Sequence, residues 1–247
     1  MGTAGGRVAV AAACSVLMVA GCATKAEHTE GEAAASSASS PRQHAYADVD
    51  DLPEKLAADG TTVMVGDPGA ATAVQVYSDP RCPVVEEFES TGARALREMT
   101  LRHKIRTEYT LASFRDDRVG GDGSKRAVNA LRAALERGKF AAYYDVLFEN
   151  MIENEMAGGY TTASLLELAD QIPGLRNKTF DAAVRTMKYE RFVAASQTAY
   201  EKAGGDKEPR GPGTPTVAVN DARLRGTLRG LLFDQELFHQ YLAAAPS

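Results

Sequence analysis

The chain contains no tryptophan, and only three cysteines and four histidines, in 247 residues. Two of the cysteines, Cys14 and Cys22, fall in an N-terminal leader, so the remainder holds Cys82 alone and a framework of internal disulfides is excluded. The histidines (His28, His44, His103 and His239) are scattered along the chain, and no metal site is expected from them. Dense runs of Lys and Arg are also missing and the formal net charge is -5, which argues against a nucleic-acid partner held by counterion release. Gly120-Gly121-Asp122-Gly123 lacks the lysine and downstream hydroxyl of a phosphate loop, so it reads as a cap for the helix that follows. No cofactor is expected. What remains is an ordinary globular composition, 44% hydrophobic and 25% charged, with no internal repeat.

The leader occupies the start of the chain. Arg7 precedes Val8 to Ala20, an uncharged apolar stretch too short to span a bilayer as a permanent helix. It ends in Val19-Ala20-Gly21-Cys22, which resembles the lipobox of bacterial lipoproteins. That resemblance implies a signal peptide over 1–21 and a lipidated Cys22 at the mature N-terminus, anchored in the extracytoplasmic face of the cell membrane. Residues 22–48, rich in Ala, Ser and Glu without apolar periodicity, are expected to form a flexible tether. One domain is then expected over 49–247.

Within it, Thr61 to Val65 and Ala73 to Tyr77 read as strands. A single helix is predicted from Cys82-Pro83 onward, with Val85, Phe88, Gly92, Leu96 and Met99 on its buried face. Lys104 to Leu111 alternates as a strand, with Arg106, Glu108 and Thr110 on its more exposed side. From Gly120 to Gly204 the pattern is helical, divided by Gly138, Gly158-Gly159, Pro173-Gly174 and Gly204-Gly205, with one long helix over Asn177 to Lys202. Thr216 to Val219 returns to strand, Asn220-Asp221 makes a turn, Arg223 to Arg225 pairs back, and Asp234 caps a final helix. The expected fold is α/β, with a mixed sheet of four or five strands and a helical insertion at about 120–204.

Chemistry concentrates in Tyr77-Ser78-Asp79-Pro80-Arg81-Cys82-Pro83-Val84-Val85-Glu86-Glu87-Phe88. A cysteine at a strand end and helix start meets unpaired N–H groups and the positive end of the helix dipole, both of which favour a thiolate. Arg81 is expected to add to that effect, and Asp79, Glu86 and Glu87 to oppose it. Other acids, Asp122, Glu153 and Glu155 among them, read as solvated surface or helix caps.

This segment resembles the DsbA-like branch of the thioredoxin superfamily, with Tyr77, Asp79, Cys82, Pro83 and Phe88 matching its motif and Val85 standing where that motif has its second cysteine. Gly213-Thr214-Pro215-Thr216-Val217 is similar to the family's cis-proline loop, and Ser124, Asn129, Gly138-Lys139-Phe140 and Tyr143 to its helical-domain positions. The resemblance implies a thioredoxin-like fold and thiol–disulfide exchange on exported proteins or small thiols. It implies Cys82 as nucleophile, substrate docking at Pro83, Val84, Val85, Thr214, Pro215 and Thr216, and helix-start amides near Val84 and Val85 to steady the sulfur. With Val85 unable to resolve a mixed disulfide, oxidation by an internal disulfide is excluded. Monothiol exchange, isomerisation, or binding by a catalytically inactive scaffold remain.

Overall fold

The structure is a computed structural model and describes residues 44–245; the leader, Cys14, Cys22 and all but the end of the tether lie outside the described residues. Three strands come first: β1 (Glu54–Leu56), β2 (Thr62–Val65) and β3 (Thr72–Ser78). Helices α1 (Pro83–Ser90) and α2 (Ala93–Leu101) lead into β4 (Ile105–Leu111). Seven helices follow: α3 (Arg115–Val119), α4 (Gly123–Leu135), α5 (Phe140–Glu149), α6 (Met151–Met156), α7 (Thr162–Ala169), α8 (Lys178–Arg185) and α9 (Glu190–Gly204). The hairpin β5 (Thr216–Val219) and β6 (Ala222–Arg223), a 3-10 segment over Gly226–Phe233 and α10 (Gln235–Ala243) complete the domain.

The strands form one mixed sheet in the order β1-β2-β4-β3-β5-β6, with β3 and β4 parallel and the other pairs antiparallel. This is the expected architecture, with a sixth strand, β1, at one edge. In register, Val74 and Val76 of β3 lie beside Thr107 and Tyr109 of β4 and Val219 and Val217 of β5, which places these side chains on one face. Two apolar clusters fill the domain. The first packs Val74, Val76, Phe88, Leu96, Val217 and Phe238 between the sheet and the helices α1, α2 and α10. The second fills the helical insertion and includes Val85 and Cys82. Helix α1 thus lies on the seam, with Phe88 in the sheet core and Cys82 in the insertion core.

Two predicted helices are broken. The single helix after Cys82 stops at Ser90, where Thr91 leaves helical geometry at φ -123° and ψ -97°; the next residue, Gly92, lies against the backbone of Leu232, and a Cβ there would stand 2.1 Å from the Leu232 carbonyl oxygen. The helix over 177–202 divides into α8 and α9 at Thr186–Tyr189, where Met187 adopts φ 50°. The hairpin turn is as predicted: Asn220 and Asp221 take φ 46° and 66°, the left-handed pair that suits a twisted two-residue loop. Asp234 caps α10, its Oδ1 accepting the Leu237 N–H at 2.9 Å.

Candidate active site

The strand β3 delivers Ser78 and Asp79 to the mouth of α1, and the chain turns through Pro80 and Arg81 to place Cys82 at the N-cap position. Pro83 occupies the first helical position, where its missing N–H costs nothing. Across a gap in sequence of more than a hundred residues, the Thr214–Pro215 peptide bond is cis, and the Cys82 Sγ lies 3.4 Å from the Thr214 carbonyl oxygen. The structure thus brings the two predicted segments together. Cys82 is 6% exposed and Val85 0%, while Val84 is 40% exposed. Pro215 and Thr216 are buried.

Two groups at the site are engaged by local hydrogen bonds. The Val85 N–H donates to the Cys82 carbonyl oxygen at 2.9 Å, so this amide is committed to the turn and does not steady the sulfur. The Thr216 hydroxyl donates to the carbonyl of Gly213 at 2.9 Å, which makes its side chain a brace of the loop. Beside it, the Thr214 hydroxyl is buried with no hydrogen-bond partner.

Arg81 departs furthest from expectation. Its guanidinium is buried and pairs with Asp116 at 2.9 Å, forms two hydrogen bonds with Glu155 and donates to the Gly120 carbonyl. Its charge is therefore matched by two carboxylates and is not free to favour a thiolate. Glu155, read from sequence as solvated surface or a helix cap, is half of that pairing. Space for the guanidinium depends on Gly159, at φ 97°, where a Cβ would lie 2.8–2.9 Å from its Nη2 and Cζ atoms. Asp116 also accepts the N–H groups of Ser124 and Lys125, so the cap of α4 belongs to Asp116; Asp122 instead pairs with Arg126.

Asp79 is equally committed. Its carboxylate accepts from the Ser124 hydroxyl at 2.7 Å and from the backbone N–H groups of Arg81 and Arg115 at 3.0 and 2.9 Å. Burial pushes its pKa up to about 6, against the downward pull of these donors. Sequence reasoning placed Ser124 among the helical-domain positions but not its bond to Asp79. The other matched positions are structural: Asn129 bridges Ala183 and Tyr189, and the Tyr143 hydroxyl donates to the Leu165 carbonyl. The first amides of α5, at Phe140 and Ala141, are taken by Glu54 of β1.

A second buried carboxyl lies further along α1. Glu89 accepts from the Tyr144 hydroxyl at 2.9 Å and borders a cavity of about 130 Å³ with Arg97 and Asp145. Arg97 stands 4.0 Å from Glu89 and pairs with Asp145 at 2.7 Å. Burial pushes Glu89 up to about 8. Among the described residues no cluster of three or more His, Cys, Asp or Glu could hold a metal ion, and no helix is long and apolar enough to cross a membrane.

A mixed sheet with parallel central strands, a cysteine at the N-cap of the following helix and a cis-proline loop against its sulfur together define a thioredoxin-type protein. The chain belongs to the thioredoxin family, whose pattern residues 58–230 match. Its fold is that of DsbA-like oxidoreductases. It is similar to MdbA, a thiol-disulfide oxidoreductase from Corynebacterium diphtheriae, at 15% identity and TM-score 0.60, covering 77% of this chain and 95% of that one. BdbD from Bacillus subtilis is similar at 17% identity and TM-score 0.59, over 81% and 96% of the two chains. The disulfide bond oxidoreductase DsbG from Mycobacterium tuberculosis is similar at 19% identity and TM-score 0.53, over 81% and 97%. No curated protein sequence matches the chain.

Proposed function

We propose that this chain is a lipid-anchored, extracytoplasmic protein of thiol–disulfide exchange in which Cys82 is the only attacking sulfur. The observation that carries this reading is the placement of the Cys82 Sγ at a helix N-cap and 3.4 Å from the carbonyl before cis-Pro215. The Cys82 thiolate attacks a substrate disulfide, forming a mixed disulfide and releasing one substrate thiolate. With Val85 beside it, the domain over 49–247 has no second thiol to displace the substrate. A thiolate of the substrate itself, or a small thiol, then attacks the mixed disulfide and returns Cys82. No net electrons pass, so the outcome is exchange or isomerisation.

In this reading Pro83, Val84, Val85, Thr214, Pro215 and Thr216 shape the docking edge. Val84, together with Ile152 and Met156 on the neighbouring helix α6, leaves apolar side chains in solvent, which suits an exported polypeptide as substrate. Residues 1–21 act as the signal peptide, Cys22 takes the acyl chains, and 22–48 tether the domain over 49–247. The 6% exposure of Cys82 favours a second reading, a binding protein that keeps the groove without turnover.

Alkylation of the full chain, followed on the peptide that carries Cys82, separates the two. Exchange predicts labelling of the native protein with a rate that rises with pH as the thiolate forms, and loss of disulfide-linked partner capture in Cys82→Ser. Labelling only after denaturation, with non-covalent partner capture intact in Cys82→Ser, would establish the binding protein instead.

A further inference from the structure

We propose that Tyr200 of α9 is a positioning residue that holds the cis-proline loop at its distance from Cys82. This rests on the exchange reading above and adds to it a link between the helical insertion and the thiol.

The loop has anchors of two kinds. From its own hairpin, the Thr216 hydroxyl donates to the Gly213 carbonyl at 2.9 Å and Arg223 donates to the Pro212 carbonyl at 2.8 Å. From the insertion comes Tyr200, whose hydroxyl oxygen accepts the Gly213 N–H at 3.0 Å. The ring itself is fixed. It stacks on Phe114 at 5.3 Å and 11°, and it fills the space beside Gly211, where a Cβ would stand 2.2 Å from the Tyr200 Cε1. Gly211 also takes φ 90°, so no other L-residue sits there without strain. Burial raises the Tyr200 phenol above its ordinary value, and the bond from the Gly213 N–H opposes that rise.

The consequence follows from what the Thr214 carbonyl does. At 3.4 Å it accepts the Cys82 S–H and presents the negative end of its dipole to a thiolate. A hydrogen bond to the neutral form disfavours the charged one. Tyr200, by fastening Gly213, restrains Thr214 one residue away and so sets that contact.

The test is Tyr200→Phe in the full chain, which removes the hydroxyl and keeps the ring. Two readouts are expected to move. The pH–rate profile for alkylation of Cys82 shifts to lower pH, with labelling at pH 7 several-fold faster than in wild type. Hydrogen exchange at the Gly213 amide, followed on the peptide over 211–216, speeds up about tenfold. A change of packing alone would leave the pH profile in place. If Tyr200→Phe fails to fold, Phe114→Leu loosens the same ring from its stacked face, and a smaller shift in the same direction is expected. Unchanged profile and exchange, in a wild type whose Cys82 is reactive, overturn the role of Tyr200 and leave exchange standing. A wild type labelled only after denaturation overturns the exchange reading, and the Gly213 amide then still decides whether Tyr200 anchors the loop.

Discussion

Two buried carboxyl groups flank the cysteine in sequence, Asp79 three residues before it and Glu89 seven after, and their surroundings differ in one respect. Asp79 has three close donors: the Ser124 hydroxyl and the amides of Arg81 and Arg115. Glu89 has one, the Tyr144 hydroxyl, and its nearest guanidinium, on Arg97, is 4.0 Å away and engaged by Asp145. Desolvation pushes both groups up, to about 6 for Asp79 and about 8 for Glu89. At neutral pH Asp79 is therefore largely ionised and Glu89 largely protonated. Donor count, more than depth, separates them. Before the cysteine, the charges are fixed and paired into a scaffold. Beyond it, the carboxyl stays neutral and faces a small cavity.

The strongest way to break this contrast is to remove the cation that organises the first region. Arg81→Met leaves Asp116 buried without its guanidinium, and losing one partner of a buried pair costs roughly 3–5 kcal/mol. Denaturant unfolding at pH 7 reads the loss directly; a change below about 1 kcal/mol would mean that the amides of Ser124 and Lys125 satisfy Asp116 by themselves.

The second region is tested by pH. For Glu89 the folded pKa of about 8 lies above the ordinary 4.5, so the folded state binds more protons across that window. Its contribution is fully present below pH 4.5 and is lost as pH rises through 8. Asp79, raised from 3.8 to about 6, acts in the same direction but is complete by about pH 6. Glu89→Gln keeps the shape and the bond from Tyr144 while removing the titration. It is expected to flatten the stability curve above pH 6 and to exceed wild type at pH 9 by about 2–4 kcal/mol. A variant that parallels wild type through pH 6–9 would show that Glu89 is already ionised in the folded state.

Neither region was legible in sequence, although their setting was. Cys82-Pro83 at a strand-to-helix junction and Thr214-Pro215 before a terminal hairpin are local signals, and their partners in space follow from the family's topology. The glycine breaks in the helical insertion were also readable, since Gly138, Gly158, Gly159, Gly174 and Gly205 all take positive φ. What failed depended on distant contacts. The spacing of Val85, Phe88, Gly92, Leu96 and Met99 runs in phase across a break at Thr91, beside which the backbone of Leu232, some 140 residues on, packs against Gly92. The division between α8 and α9 falls at Thr186–Tyr189, a stretch with no Gly or Pro to mark it. Glu54-Lys55-Leu56 is too short to show alternation, so β1 gave no signal. Arg81 looks like a neighbour of Cys82 in the chain, yet its pairing with Asp116 and Glu155 is decided by residues 35 and 74 positions away.

The smallest expected effect gives the sharpest reading of the comparison. Ser124→Ala takes one of three donors from Asp79 and moves that carboxyl toward the state of Glu89. A hydrogen bond to a charged group contributes about 1.5–3 kcal/mol, and the low end is expected here because two amide donors remain. The penalty should depend on pH. Above pH 6, where the wild-type carboxylate is ionised, the lost donor served a charge, and the cost is greatest. Below pH 3.8 the carboxyl is protonated in folded and unfolded states alike, and only the weaker neutral bond is missing. Unfolding of Ser124→Ala and wild type at pH 3.5 and pH 8 measures the difference. A penalty equal at both would mean that the hydroxyl only fills space beside Asp79, and that the amides of Arg81 and Arg115 alone hold it below Glu89.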